Sequence, residues 1–346
     1  MYKFFRSLLF QLDPETAHHL TLQLMRIGGM QPISTFLHML YFAPSKPVEV
    51  FGLTFRNPVG LAAGYDKDGI AVRGLSTLGF GHIEVGTITP RPQPGNPKPR
   101  IFRLVEDEAV VNRMGFPSKG AEKVMRTLRR MEKTKVRRPN TILGINIGKN
   151  KETPNEEAVF DYLELLGNFA PFADYLAINV SSPNTVGLRQ LQGRDALHGL
   201  LTQLNHQRKL EETRLEKNIP LLVKLAPDLT DKELDDALDV ILDTGMDGVI
   251  ATNTTTARVG LRSKHRKETG GLSGSPLKVQ SEAMLEKIVR QVDGRIPIVS
   301  VGGIMSSEDA KRRLDRGATF IQVYTGLIYR GPGLVKKILR ALASSS

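Results

Sequence analysis

The sequence predicts a closed (β/α)₈ barrel with a short amphipathic helical extension at its N-terminus. Two observations carry the barrel. Eight short runs rich in β-branched residues alternate with helical stretches after Pro58, the pattern of parallel strands joined by crossover helices. No G-x-G-x-x-G follows any of these runs, which argues against an open dinucleotide-binding sheet. A third observation carries the extension: residues 1–42 show helical spacing of Phe, Leu and Met with no strand signal.

The elements follow in chain order. Met1-Tyr2-Lys3-Phe4-Phe5-Arg6-Ser7-Leu8-Leu9-Phe10 opens like a secretory signal but has no apolar core ending in a small-residue cleavage site. Asp13-Pro14-Glu15 reads as a helix start, with Asp as N-cap, Pro in the first turn and acid next to it. Ala17, Leu20, Leu24 and Ile27 then recur at helical spacing, and Ile33, Phe36, Leu37, Leu40 and Tyr41 mark a further short helix. These helices either pack on the main domain or dip into a bilayer surface, with Lys3, Arg6 and Arg26 near lipid phosphates. The domain division is therefore 1–42, helical, and 43–346, barrel. Val48–Phe51 and Leu53–Phe55 around Gly52 read as a small hairpin. The barrel strands are Val59–Ala62, His82–Thr87, Ile142–Gly148, Tyr175–Ser181, Leu221–Ala226, Gly248–Asn253, Ile296–Gly302 and Phe320–Thr325. Helices are expected near 68–79, 118–133, 155–170, 194–216, 230–244, 277–292, 306–316 and 333–343. Two connections are long. The proline-rich 88–117 cannot begin as helix and contains a hairpin from Ile101–Val105 and Ala109–Asn112; 254–275 is a Gly-, Arg- and Lys-rich loop.

Composition narrows the function. The 346 residues suit one large barrel of ~250 residues with an appendage. With no Cys, the chain has no disulfide, thiolate metal site, iron–sulfur cluster or cysteine nucleophile. The net charge of +12 favours anionic partners or a solvated surface; without Trp and without a nucleic-acid motif, nucleic acid is not an expected partner. Basic residues gather at 119–151, at 258–267 and from Lys311 onward. No apolar run approaches the ~18 residues of a spanning helix.

The active site of such a barrel lies at the C-terminal strand ends. Those ends hold Ala63, Gly64 and Lys67; Thr87; Asn146; Asn179, Ser182 and Asn184; Lys224; Thr252, Asn253 and Thr254; Gly303; and Tyr324 and Thr325. The set is rich in amides and hydroxyls and lacks a His/Asp/Glu cluster, so neither a divalent metal nor paired glycosidase carboxylates are expected. Glycines after strands seven and eight suit a phosphate, and amides suit a flat ring with alternating donors and acceptors; FMN has both parts. Lys224 reads as a cation at the flavin N1–O2 edge, as a Schiff-base lysine, or as a buried ion pair with Asp228. Lys67, Asn112, Asn184 and Asn253 together suit a small carboxylate.

The sequence resembles the dihydroorotate dehydrogenases, specifically their membrane-associated, quinone-dependent class. The resemblance rests on Leu61-Ala62-Ala63-Gly64-Tyr65-Asp66-Lys67-Asp68-Gly69, Glu84-Val85-Gly86-Thr87-Ile88-Thr89-Pro90, Asn112-Arg113-Met114-Gly115-Phe116, Gly144-Ile145-Asn146-Ile147-Gly148-Lys149-Asn150, Asn179-Val180-Ser181-Ser182-Pro183-Asn184-Thr185, Val223-Lys224-Leu225-Ala226-Pro227-Asp228, Thr252-Asn253-Thr254 and Gly270-Gly271-Leu272-Ser273-Gly274. It implies FMN-dependent oxidation of (S)-dihydroorotate to orotate in pyrimidine (UMP) biosynthesis, with ubiquinone or menaquinone as acceptor. By similarity Ser182 is the base, where the fumarate- and NAD-linked class usually has Cys, and Thr185 and Phe116 guide the proton onward. The same resemblance places FMN at Ala63, Gly64, Thr87, Asn146, Asn179, Lys224, Thr252, Gly274, Gly303, Tyr324 and Thr325. It places substrate at Lys67, Asn112, Arg113, Met114, Gly115, Phe116, Asn179, Asn184, Asn253 and Thr254, and quinone at His18, Arg103 and Tyr324. Tyr65 and Val186 depart from the family's residues without touching a catalytic group. An anionic membrane surface is the expected partner, at the cytoplasmic face of a bacterial inner membrane. The rival readings are another flavin barrel, a Schiff-base lyase using Lys224 and a basic nucleic-acid-binding protein.

Overall fold

The structure, a computed structural model, describes residues 2–133 and 141–344; Met1, residues 134–140 of the basic run 119–151 and the last two residues lie outside it. Eight parallel strands close into a barrel: Val59–Leu61, His82–Ile88, Ile142–Ile147, Tyr175–Asn179, Leu221–Leu225, Gly248–Ala251, Ile298–Val301 and Phe320–Val323, in that order around the ring. Apart from the second, these strands stop before the ends read from the sequence. The last residues of each β-branched run leave the ladder and line the barrel mouth, so Asn253 and Thr325 are loop and helix residues rather than strand. A helix at Thr325–Arg330, unforeseen in the sequence, follows the eighth strand directly.

The barrel interior is filled from below. Gly60 and Gly144 leave room for rings: a Cβ at Gly60 would lie 2.0 Å from His82 Nε2, and one at Gly144 2.1 Å from the Tyr175 ring. Phe55, from the small hairpin Val48–Val50 and Leu53–Phe55, plugs the bottom, its ring centroid 4.4 Å from that of Phe320 and 5.7 Å from that of His82. Each such buried ring stabilises the closed barrel by about 1.5–3 kcal/mol. Around the ring, helices lie where the periodicity puts them, from Ala121–Lys133 to Gly333–Ala343. The segment 68–79 is the exception, with helix only at Val72–Ser76. The buried Asp66 carboxylate accepts the amides of Ile70 and Ala71 at 3.0 and 2.7 Å, and that turn replaces the first helical residues.

Over the mouth lies a three-stranded antiparallel sheet. The expected hairpin, Ile101–Leu104 and Ala109–Asn112, is joined by Gly271–Gly274, so the loop 254–275 ends in a strand. Tyr329 ties this sheet down, its hydroxyl bonding the carbonyls of Leu104 and Ala109 at 3.2 and 2.9 Å.

The extension consists of Tyr2–Gln11, Pro14–Gly28 and Ile33–Tyr41. Asp13 caps the second helix as its sequence demands, accepting the amides of Glu15 and Thr16 at 3.0 Å. That helix meets the barrel backbone to backbone: a Cβ on Gly74 would sit 1.7 Å from Met25 O. Tyr2 donates to Ile328 O at 2.6 Å. A buried ion pair then locks the joint. Arg100 reaches both oxygens of Glu15, at 2.8 and 3.2 Å, while its other nitrogen holds the carbonyls of Pro94 and Asn96. Burial alone would raise the Glu15 pKa, but Arg100 and Lys98 outweigh it and hold the carboxyl below its ordinary 4.5. Its contribution to stability is therefore complete above pH 4.5 and fades as pH falls through the lower folded value. Glu15→Gln leaves Arg100 buried without a counter-charge, at a cost of about 3 kcal/mol. Thermal unfolding across pH 3–7 checks this: the wild type loses stability on the acid side, and the variant starts lower and loses less there.

Candidate functional site

The strand ends converge on one cavity at the barrel mouth, enclosing about 1010 Å³ with its opening. At one end its wall is backbone. Gly303 has φ +71, and a Cβ there would come 2.4 Å from Lys278 Cα; Gly274 and Gly326 are as tightly placed, against Glu108 O and Ile304 O. Only glycine brings the chain this close. Arg313, wholly buried, braces the wall from behind through Ser300, Ser281 and the carbonyls of Lys278 and Gly302.

The middle of the cavity is a linked set of amides and hydroxyls. Thr87 Oγ1 donates to Asn146 Oδ1 at 2.5 Å, and Asn179 Nδ2 donates to both, at 2.8 and 3.1 Å. Asn253 Nδ2 donates to Asn179 Oδ1 and Ser181 Oγ, and Asn184 Nδ2 to Asn112 Oδ1 at 3.1 Å. Lys224 does not pair with Asp228. It pairs with Glu84 at 3.3 Å, and Asp228 pairs with Arg189 at 2.7 Å. Arg189 also holds the carbonyls of Ser181 and Thr254, joining the loops after strands four and six.

Ser182 is buried in the cavity wall, and its Oγ accepts the Asn184 amide at 3.2 Å. Thr185, three residues on, is buried with its hydroxyl oxygen free of any hydrogen bond. Lys67 Nζ donates to Gly64 O at 2.5 Å; burial pushes its ammonium down to about 8, against the opposing pull of Asp68 and Glu15.

Nearly every residue singled out in the sequence lies here. Ala63, Gly64, Lys67, Thr87, Asn112, Met114, Gly115, Phe116, Asn179, Ser182, Asn184, Lys224, Thr252, Asn253, Thr254, Gly274, Gly303, Tyr324 and Thr325 all line this one cavity. Three do not. Asn146 lies one layer beneath, reaching the cavity through Thr87 and Asn179. Thr185 is buried outside the cavity lining. Arg113 turns away: it pairs with Glu268 at 2.7 Å, the one carboxylate of the otherwise basic 254–275 loop, and stacks on Phe102 at 4.5 Å. Sequence reasoning missed Glu84, Gln322, Arg189 and Arg313. Glu84 and Gln322 carried a signal, a charged or amide side chain in the middle of a completely buried strand.

A second, larger cavity of about 2020 Å³ separates the extension from the barrel. His18, Arg103 and Tyr324 all line it, so Tyr324 stands in the wall of both cavities. Burial, with the Lys67 and His19 charges adding to it, pushes His18 down to about 3, so its imidazole is neutral at physiological pH. The His18 and Tyr65 rings lie 5.2 Å apart, and Tyr65 and Tyr324 6.2 Å.

The donor set suits FMN. A glycine wall that any Cβ would fill offers amides to a phosphate. Lys224 and Gln322 face the barrel axis, and the buried Gln322 Oε1 has no partner, an acceptor left for a ligand.

The dihydroorotate dehydrogenase family model matches residues 46–345. A dihydroorotate dehydrogenase (quinone) of Halorhodospira halophila is 49% identical over 344 residues, covering 99% of this chain and 98% of that one. The same-named protein of Azotobacter vinelandii is 47% identical over 345 residues, covering 99% and 97%. Among solved structures, the Eimeria tenella enzyme in complex with ferulenol superposes with a TM-score of 0.87 at 42% identity, over 96% of this chain and 91% of that one. Sequence, fold and cavity agree, and the chain belongs to the dihydroorotate dehydrogenase family.

Proposed function

We propose that this chain oxidises (S)-dihydroorotate to orotate with FMN as resident cofactor and passes the electrons to a quinone, a step of pyrimidine biosynthesis. The observation that carries the reading is a pair of adjacent cavities sharing Tyr324, one polar and glycine-walled, the other apolar and roofed by the extension. Relatives that match nearly the whole chain bear the name dihydroorotate dehydrogenase (quinone).

When bound, FMN supplies the acceptor for the hydride leaving substrate C6. Ala63, Gly64, Thr87, Asn179, Lys224 and Thr252 would hold its ring, with Asn146 fixing Thr87 and Asn179 from below; Gly274, Gly303, Tyr324 and Thr325 would hold its phosphate end. Lys67 holds the substrate carboxylate, and Asn112, Asn184 and Asn253 hold its ring polar groups. Ser182 removes the C5 proton. A free hydroxyl is a poor base, so burial, fixed orientation and an onward proton acceptor must do the rest. The Asn184 amide orients Ser182 Oγ, and the buried, unpartnered Thr185 hydroxyl three residues on is the onward station, with Phe116 guiding the relay. Lys67 and the amides stabilise negative charge developing on the substrate.

The extension, residues 1–42, is the quinone-access domain, and 43–346 is the FMN-binding barrel. Thirteen large apolar side chains of the extension are exposed, among them Phe4, Phe36, Met39 and Phe42. No described helix is long and apolar enough to cross a membrane. Such a surface, with Lys3, Arg6 and Arg26 beside it, lies in the interface of an anionic bilayer. The enzyme is thereby peripheral, at the cytoplasmic face of a bacterial inner membrane. Quinone enters between the helices, meeting His18, Arg103 and Tyr324.

Ser182→Ala keeps flavin and substrate binding but slows anaerobic flavin bleaching by dihydroorotate about 10²–10⁴-fold, measured by stopped flow; bleaching at the normal rate removes Ser182 from the mechanism. With Lys67 titrating near 8, KM for dihydroorotate climbs above pH 8 by about tenfold per pH unit, while Lys67→Ala raises KM at every pH and flattens the profile. Deleting residues 1–42 abolishes quinone turnover and spares dihydroorotate-dependent bleaching; a truncated protein with full quinone activity would place the quinone elsewhere.

A further inference from the structure

Beneath the polar cavity, inside the barrel, lies a carboxylate that the mechanism does not use. Glu84 is completely buried on the second strand and does not line the cavity. Four donors from four other strands close on it. Asn146 Nδ2 and Lys224 Nζ reach Oε1 at 2.8 and 3.3 Å, and Gln322 Nε2 and the Tyr175 hydroxyl reach Oε2 at 2.8 and 3.1 Å. Burial would raise its pKa, but Lys224, Gln322 and Asn146 outweigh that and hold it below the ordinary carboxylate value. His82 below is neutral, pushed down to about 4 by burial. The charge facing Glu84 is therefore Lys224.

A buried ion pair is a poor way to stabilise a barrel, because desolvation cancels most of the attraction; an apolar filler of the same volume does as well or better. What distinguishes Glu84 is whom it holds. Lys224 and Gln322 line the cavity, and Asn146 steers Thr87 and Asn179, which line it too. We infer that Glu84 is the positioning and charge-setting residue for the flavin: it fixes the groups under the ring and places one negative charge behind Lys224, lowering the electron affinity of the bound cofactor. This inference rests on the proposed FMN site. Reduction adds electron density to a ring that Lys224 attracts, and Glu84 offsets that attraction through a low-dielectric interior where single charges act strongly. The outcome is a reduced flavin that gives its electrons up readily to the second cavity.

The test is a potentiometric titration of the holoenzyme. Glu84→Gln keeps the volume and a hydrogen-bonding amide while removing the charge. It is expected to retain FMN and to favour the reduced over the oxidised form at least tenfold more than wild type, a two-electron midpoint raised by about 30 mV. The dissociation constant for dihydroorotate stays unchanged, since Glu84 does not touch that site. Tyr175→Phe keeps the charge and removes one donor from it, so its midpoint moves the opposite way, by a few-fold in the same ratio. A Glu84→Gln enzyme with an unchanged or lowered midpoint overturns the inference. Should that variant not fold, Tyr175→Phe decides, and an unchanged or raised midpoint overturns it as well. Wild-type protein that neither carries nor takes up FMN overturns the cofactor reading itself, before any variant is made.

Discussion

An eight-stranded barrel must fill its own interior, and the way this chain does so arranges everything else. Residues from alternate strands point inward, and each layer has room for only a few side chains. In the lower layers Gly60 and Gly144 give up their space to His82 and Tyr175, and Phe55 and Phe320 close the floor. One layer higher the filling becomes polar, with Asn146, Lys224 and Gln322 all donating to Glu84. Above that the strands end and the cavity begins. The floor is packed with buried rings, so the polar layer rests on close-packed side chains, and preorganised dipoles of this kind cost nothing at the moment of reaction.

The same geometry explains the division of labour around the mouth. Side chains on strands are held to within the tolerance of the barrel, and these include the amides and the lysine proposed to face a flat ring. Backbone in glycine-walled loops approaches where no side chain could, which suits a phosphate. Ser182, Asn184 and Asn253, the groups proposed for a small substrate, sit on the loops after strands four and six, yet Arg189 ties those loops together through Ser181 O, Thr254 O and Asp228. A loop so braced combines access with fixed orientation.

The extension leaves much apolar surface uncovered. Its first and third helices bury no side chain completely, so packing on the barrel does not account for their apolar faces. The second helix is the anchor, through the Gly74 contact and the Glu15–Arg100 pair. One anchored helix and two apolar flanking ones leave the large cavity between extension and barrel, with Asn112, Met114, Ser273 and Tyr324 in the wall it shares with the polar cavity.

Much of this was legible in the sequence. The alternation of β-branched runs with helices determined the barrel, since no open sheet with eight such units would leave the strand-end residues in one place; Asp13-Pro14 determined a helix start; and the strand-end motifs determined nearly all of the polar cavity, because a parallel barrel puts every strand's C-terminal end on the same face. Contacts between residues distant in sequence belonged to the tertiary structure alone. That Lys224 pairs with Glu84 rather than the nearby Asp228, that Arg113 turns to Glu268, that residues 271–274 join a hairpin 160 residues earlier, and that Tyr324 faces two cavities are all decided by which strands become neighbours on closure. Local patterns encode the direction a side chain points; only the closed ring decides what it meets there.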